Sequence, residues 1–191
     1  PAWWVKRVRR DHPQHWQAVL WASNQPAPLT LRVNTTQVSC SDYMQHLQAA
    51  GWFAALGEMG DATITLLRTP QARTGAVDTL PGFADGWFSV QDAAAQVAAP
   101  LLLNGLLAQR QGSAASDQSA PPLPGHRLRV LDACAAPGGK TAHLLEFAQQ
   151  QGISLSLQAL EVDAQRSLRI TENLQRLRLP AQPSGAGEQA S

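Results

Sequence analysis

The chain has 191 residues, 44% of them hydrophobic, enough to bury one or two cores. Its net charge is +1 and its pI is near 8.4, so bulk charge names no partner and any nucleic-acid surface has to be a local patch. No run of about 18 apolar residues suggests a membrane span, no charged start with an apolar core suggests a signal peptide, and two distant cysteines, Cys40 and Cys134, argue against a disulfide framework or a metal site and fit a reducing cytoplasm.

Ala2 to Arg10 predicts a short helix. Trp4 and Val8 share a face at i,i+4, while Lys6, Arg7, Arg9 and Arg10 fill the rest. Such a basic face is either solvated or a phosphate-contacting surface. Pro13 suits a helix first turn, and Trp16, Val19 and Leu20 follow at helical spacing as core. Leu29 to Asn34 alternates, with Leu29, Leu31 and Val33 on one side and Thr30, Arg32 and Asn34 on the other, the pattern of a half-buried strand. Ser41 or Asp42 can cap a helix carrying Tyr43, Met44 and Leu47, and Gly51 ends it. Ala62 to Leu67 is a further strand. The order α-α-β-α-β-β predicts a small α+β module over residues 1–80.

Residues 81–108 read as a loop followed by a helix. Gly82 to Gly86 is turn-rich and Trp87 to Val90 a short strand. Asp92 can cap an Ala-rich helix from Ala93, in which Pro100 should form a kink. Gln91 and Asp92 either reach a cleft or serve as cap and packing contact. Residues 109–125, rich in Gln, Ser, Ala and Pro, are expected to form a flexible insertion. Ala164 to Leu179 predicts a helix with Leu168, Ile170, Leu174 and Leu177 apolar and Arg166, Arg169, Arg176 and Arg178 exposed. Pro180 to Ser191 is again of low complexity.

The most informative stretch is Val130 to Thr141. Leu128, Val130 and Leu131 predict a buried strand, Ala133 to Ala136 are small enough to admit a ligand to the backbone, and Gly138-Gly139 allows a tight turn into a helix. The helix N-terminus would favour a partly negative ligand. A purely structural turn is one reading. A phosphate-binding P-loop is another, but it needs glycine where Cys134 stands, so Gly139-Lys140-Thr141 is a near miss. The third is a nucleotide-like cofactor in a Rossmann-type crevice, which calls for an acidic residue at the end of the next strand, about 20 residues on. Leu155 to Leu160 is that strand, and Glu161 ends it, 22 residues after Gly139.

Leu131-Asp132-Ala133-Cys134-Ala135-Ala136-Pro137-Gly138-Gly139-Lys140-Thr141 closely resembles the S-adenosylmethionine loop of the RNA cytosine-C5 methyltransferases of the Sun/Fmu family. The resemblance extends through Leu31-Arg32-Val33-Asn34, Gly82-Phe83, Gly86 to Asp92 and Glu161 to Arg166. It implies an α/β fold: the N-terminal half of a Rossmann-like class I methyltransferase domain over residues 126–191, incomplete, preceded by an RRM-like module, with residues 81–108 as the bridging loop and helix between them. The aromatic pair of a true RRM is not evident on a central strand, so base stacking on the sheet is not expected. The implied cofactor is S-adenosylmethionine, with Cys134, Ala135, Ala136, Pro137, Gly138, Gly139 and Lys140 around its methionine and ribose part. Glu161 would take the ribose hydroxyls, and Asp163 would sit at the following turn. The implied partner is RNA, small-subunit ribosomal RNA in particular, contacted by Lys6, Arg7, Arg10 and Arg32. A cytoplasmic monomer without metal is expected.

Enzymes of this family add a cysteine thiolate to C6 of the cytosine so that C5 can attack the methyl group. They carry that cysteine in a Thr-Cys motif and a second one in a Pro-Cys motif, and neither motif occurs among these residues. Cys134 is read as a small residue lining the cofactor loop, and no catalytic residue is assigned. The chain is therefore expected to be a fragment of the methyltransferase, inactive alone. Two alternatives stand beside this: a P-loop-like nucleotide binder, and a non-catalytic RNA-binding protein.

Overall fold

The computed structural model describes residues 1–57, 59–69, 72, 75–114 and 127–180. Two helices open the chain, α1 (Ala2–Asp11) and α2 (Trp16–Ser23), packed on each other. Val8 is buried between them, while Trp3 and Trp21 are 69% and 67% exposed. Trp16 lies under the Arg9 guanidinium, 5.1 Å from its ring centroid. Trp16, Val19 and Leu20, expected as core, are only half-buried, because α2 has α1 as its main support.

Strands β1 (Leu29–Val33), β2 (Ala54–Leu56), β3 (Thr63–Leu66) and β4 (Phe88–Val90) form an antiparallel sheet in the order β2-β3-β1-β4. Helix α3 (Cys40–Ala49) follows β1. This β-α-β-β…β path with the fourth strand beside the first is the ferredoxin-like arrangement. A loop with a 3-10 turn at Val77–Thr79 stands where a second helix would run. β4 lies in the segment expected to bridge, and it forms an edge of this sheet by pairing with β1. α3 is capped by Ser39, two residues before the expected cap: the Asp42 amide donates to Ser39 Oγ at 3.1 Å, and Ser39 Oγ donates to the Asp42 carboxylate at 2.6 Å.

One face of the sheet carries Leu31, Val33, Ile64 and Phe88, packed on Tyr43 and Leu47 of α3, all at most 1% exposed. The other face carries Thr30, Arg32, Thr63, Ser89 and Gln91, and these polar residues are buried as well. The alternation predicted a half-buried strand; β1 is buried on both sides because a second layer covers its polar face.

That layer belongs to the C-terminal unit. A 3-10 turn at Ala94–Val97, with the Ala94 amide donating to Asp92 Oδ1 at 2.9 Å, leads into α4 (Ala98–Ala114). Pro100 therefore sits in the first turn of α4, where its missing N–H costs nothing, and not in a kinked interior. α4 takes up residues 109–114 of the expected insertion, and residues 115–125 lie outside the described ones. Next come β5 (Leu128–Asp132), α5 (Gly139–Gln150), β6 (Leu155–Ala159) and α6 (Ala164–Arg176). β5 and β6 pair in parallel, Leu128 with Leu155 through Asp132 with Ala159, so β5-α5-β6 is a βαβ unit. The low-complexity tail from residue 181 lies outside the described residues.

α5 is enclosed on both sides. Leu144 and Ala148 join Leu103, Leu128, Val130 and Leu157 in one core, while Ala142 joins Ala135, Ile170, Leu174 and Leu177 in another. Its remaining buried face, with His143 and Glu146, meets the polar side of the N-terminal sheet. Leu131, expected within a buried strand, is 56% exposed on the open face of β5, and Leu168 of α6 is 62% exposed. Arg176, expected to be exposed, turns inward: its Nη1 donates to the carbonyls of Phe83 at 2.9 Å and Phe88 at 3.1 Å. Asn34 Nδ2 reaches the carbonyls of Gly86 at 3.2 Å and Leu177 at 3.4 Å. Gly86 is held against α6's end so closely that a Cβ there would lie 2.8 Å from Leu177 Cα. No helix among the described residues is long and apolar enough to cross a membrane.

Candidate cofactor-binding site

The carboxyl ends of β5 and β6 are stitched together by the loop between β5 and α5. Leu160 N donates to the Asp132 carbonyl at 2.8 Å, and Ala135 N to the Leu160 carbonyl at 3.0 Å. Thr141 Oγ1 donates to Asp132 Oδ2 at 2.7 Å, tying the end of the strand to the first turn of α5. The Ala136–Pro137 peptide is cis. Gly138 has φ +99°, and a Cβ on it would lie 3.2 Å from Ile170 Cα, so glycine lets α6 approach the loop. From α6, Asn173 Nδ2 donates to the Pro137 carbonyl at 2.7 Å and Arg166 Nη2 to the Ala136 carbonyl at 3.3 Å. No side chain caps α5, so the positive end of its dipole faces the loop.

Glu161 lies just past β6, with its side chain 2% exposed. Oε1 accepts from Asp163 N at 3.2 Å and Arg166 Nη1 at 3.4 Å. Oε2 is buried and has no hydrogen-bond partner. Asp163 is the N-cap of α6: its Oδ1 accepts from Gln165 N at 2.8 Å and Arg166 N at 3.0 Å. The small-residue loop, the start of α5 and Glu161 therefore gather at the carboxyl ends of two parallel strands, the edge at which open α/β sheets take ligands. Within the loop, Ala135 and Gly138 are buried, Ala136 and Gly139 half-buried, and Cys134, Pro137 and Lys140 exposed. An unsatisfied buried carboxylate oxygen and a backbone turn open to close approach fit a ribose-bearing cofactor.

Cys134 is a free thiol, exposed in the loop. Cys40 lies in the N-terminal module, where its Sγ donates to the Asp61 carbonyl at 3.0 Å and burial pushes its pKa up. Among the described residues no group of three His, Cys, Asp or Glu is placed to hold a metal ion.

The basic helix keeps Lys6, Arg7, Arg9 and Arg10 exposed. Arg7 Nε and Arg10 Nε share the Asp11 carboxylate at 2.6 and 2.8 Å, and these bonds hold its pKa below the usual value. Arg32, expected among the RNA contacts, is instead 1% exposed. It points away from solvent into the seam, where Nε and Nη2 donate to the two oxygens of Glu146, Nη1 to the Gly139 carbonyl and Gln91 Oε1, and Nη2 to Ser89 Oγ at 3.4 Å. Glu146, Asn34 and Arg176 are the polar residues that sequence reasoning did not bring to this seam. For Glu146 the signal was a carboxylate inside an apolar helical run, Leu144-Leu145-Glu146-Phe147-Ala148, facing a strand with a cation on its polar side.

Residues 1–72 match a family model described as the ferredoxin-like domain of RsmF/B-like methyltransferases. Residues 122–183 match the model described as 16S rRNA methyltransferase RsmB/F. The chain is 39% identical over 183 residues to ribosomal RNA small subunit methyltransferase B of Serratia proteamaculans (strain 568), covering 95% of this chain and 36% of that protein. Both units match models of the RsmB/F methyltransferase family. The corresponding protein of Pseudomonas syringae pv. tomato is 38% identical over 182 residues, with 95% of this chain and 34% of that protein covered. The chain thus spans about a third of the length of these curated relatives. Two solved structures share the fold. A methyltransferase homolog protein from Pyrococcus horikoshii superposes with a TM-score of 0.64 at 24% identity, over 92% of this chain and 48% of that one. NSun6 from Pyrococcus horikoshii, solved with SFG, superposes with a TM-score of 0.66 at 12% identity, over 92% of this chain and 62% of that one. The RRM-like module is accordingly a ferredoxin-like domain, and the second unit is part of a Rossmann-like methyltransferase domain.

Proposed function

We propose that this chain is the cofactor-binding part of an S-adenosylmethionine-dependent methyltransferase that acts on C5 of a cytosine in small-subunit ribosomal RNA. The observation that carries the reading is the buried, unpartnered Oε2 of Glu161 beside a small-residue loop and an uncapped helix N-terminus. Glu161 would accept from the ribose hydroxyls. Cys134 to Gly139 would line the methionine and ribose part, and Lys140, exposed at the first turn of α5, would meet the methionine carboxylate or RNA phosphate. S-adenosylmethionine supplies an electrophilic methyl group when bound. Lys6, Arg7 and Arg10 would contact RNA phosphates.

Neither thiol of this chain is proposed as the nucleophile. Cys134 belongs to the cofactor loop, and Cys40 is tied to the Asp61 carbonyl in the other module. Transfer to an rRNA transcript by these 191 residues alone is expected to stay at background. The test of the cofactor reading is calorimetric titration of the chain with S-adenosylmethionine and with ATP. Binding of the former and not the latter is expected, and the reverse would make the loop a phosphate cradle.

A further inference from the structure

The cofactor loop is held from behind by the N-terminal module. Arg32 Nη1 donates to the carbonyl of Gly139, the first residue of α5, at 3.1 Å. The same guanidinium binds Glu146, two turns further along that helix. It therefore fixes α5 at two points. Gln91, just past β4, accepts from Arg32 Nη1 and stands over the same spot, with its Nε2 3.9 Å from where a Cβ on Gly139 would be. Gln91 is itself fixed: its N–H donates to the Thr30 carbonyl at 3.2 Å, and its carbonyl accepts from Gln96 Nε2 at 2.9 Å. With no side chain capping α5, the place of its first residue is set by α6 on one side and by Arg32 and Gln91 on the other.

We propose that Arg32, held by Glu146 and Gln91, is a positioning residue for the cofactor loop, so that the ferredoxin-like module sets the conformation of Gly138 to Lys140 and with it the affinity for S-adenosylmethionine. The inference rests on the cofactor reading of the loop. Arg32 is 1% exposed and acts through Gly139. Lysine could keep the charge opposite Glu146. It has one nitrogen in place of a planar fork and cannot hold Glu146, Gln91 and the Gly139 carbonyl together.

The experiment compares the 191-residue chain with Arg32→Lys, Gln91→Leu and a control, Thr35→Val. Gln150 Nε2 donates to Thr35 Oγ1, a bond between the same two modules at the far end of α5 that touches neither the loop nor Arg32 nor Gln91. Two quantities are read below the melting range of every variant: the amide resonances of Gly138, Gly139 and Lys140, and S-adenosylmethionine affinity by calorimetry. Arg32→Lys is expected to shift the loop resonances and weaken binding roughly tenfold, about what one charged hydrogen bond decides. Gln91→Leu leaves the ion pair and should shift the same resonances with a smaller loss, and it carries the test if Arg32→Lys does not fold. Thr35→Val should leave both readouts in place, whatever it does to the melting temperature. Unshifted loop amides in the folded Arg32 and Gln91 variants would overturn the proposal. So would a Thr35→Val change as large as theirs, which would reduce Arg32 to a structural role. If wild type binds no S-adenosylmethionine, the cofactor reading falls, and the loop amides still decide whether Arg32 positions the loop.

Discussion

Arg32 on β1 and Glu146 on α5 form a two-point ion pair, Nε to Oε2 at 2.9 Å and Nη2 to Oε1 at 3.0 Å, with side chains 1% and 2% exposed. The pair joins the two modules at a distance of 114 residues in sequence. Removing one partner leaves the other charge buried alone, which costs about 3–5 kcal/mol. Glu146→Leu is expected to lower the unfolding free energy by about that much. Arg32→Met combined with Glu146→Leu should regain part of the loss, because no buried charge is left unpaired while Gln91 Oε1 and the Gly139 carbonyl lose their donor. Urea unfolding of the single and double variants measures this, and a Glu146→Leu chain as stable as wild type would contradict it.

Most of the elements were legible because each rests on a local signal; the three-residue β2 was not. β1 alternates, Gly51 ends α3 with φ +81°, and the parallel β5-α5-β6 unit follows from two apolar runs with a glycine turn between them. Glu161 was legible from its spacing after Gly139. The seam was not. Alternation says that Thr30, Arg32 and Asn34 share a side of β1, and it is silent on whether water or another layer covers that side. Pro100 was misplaced for a related reason: Asp92 caps only a 3-10 turn, and the helix proper starts at Ala98.

His143 lies one turn before Glu146 and beside Arg32. Burial, and then the Arg32 charge, lower its pKa from 6.5 to about 3. The folded ring stays neutral while the unfolded one takes a proton, so its contribution is complete above pH 6.5 and is lost as pH falls toward 3. The slope for one proton approaches about 1.4 kcal/mol per pH unit. Glu146 acts in the opposite sense, since burial raises its folded pKa and acid then favours the folded state. Comparing His143→Gln with wild type isolates the histidine. Wild type should lose more stability than the variant between pH 7 and 5.5, and parallel curves would contradict the assignment.

Arg7 and Arg10 are exposed and share Asp11. Replacing both with Ala should lower RNA affinity for all sequences alike and flatten the salt slope by about 1–2 units. Asp11→Asn frees both guanidinium groups and should tighten binding. A salt slope unmoved by the double replacement would return the helix to a solvated face.

Gly138→Ala adds a Cβ at φ +99° and 3.2 Å from Ile170 Cα. The left-handed backbone alone costs roughly 1–2 kcal/mol. Gly152→Ala shares the strain, at φ +64°, but meets nothing within 4 Å. Gly138→Ala should therefore melt lower than Gly152→Ala and bind S-adenosylmethionine more weakly. Equal melting temperatures would mean that α6 moves aside freely.

The most direct test of the cofactor site is calorimetric titration of wild type, Glu161→Ala and Glu161→Gln with S-adenosylmethionine and ATP. Glu161 is 2% exposed in its side chain, with Oε2 unpartnered. A hydrogen bond to a charged acceptor closed to water is worth roughly 1.5–3 kcal/mol. Glu161→Ala should weaken S-adenosylmethionine at least about tenfold, and Glu161→Gln less, because its amide oxygen still accepts one bond. Unaltered S-adenosylmethionine affinity in Glu161→Ala, or ATP binding that survives where S-adenosylmethionine never bound, would contradict the account.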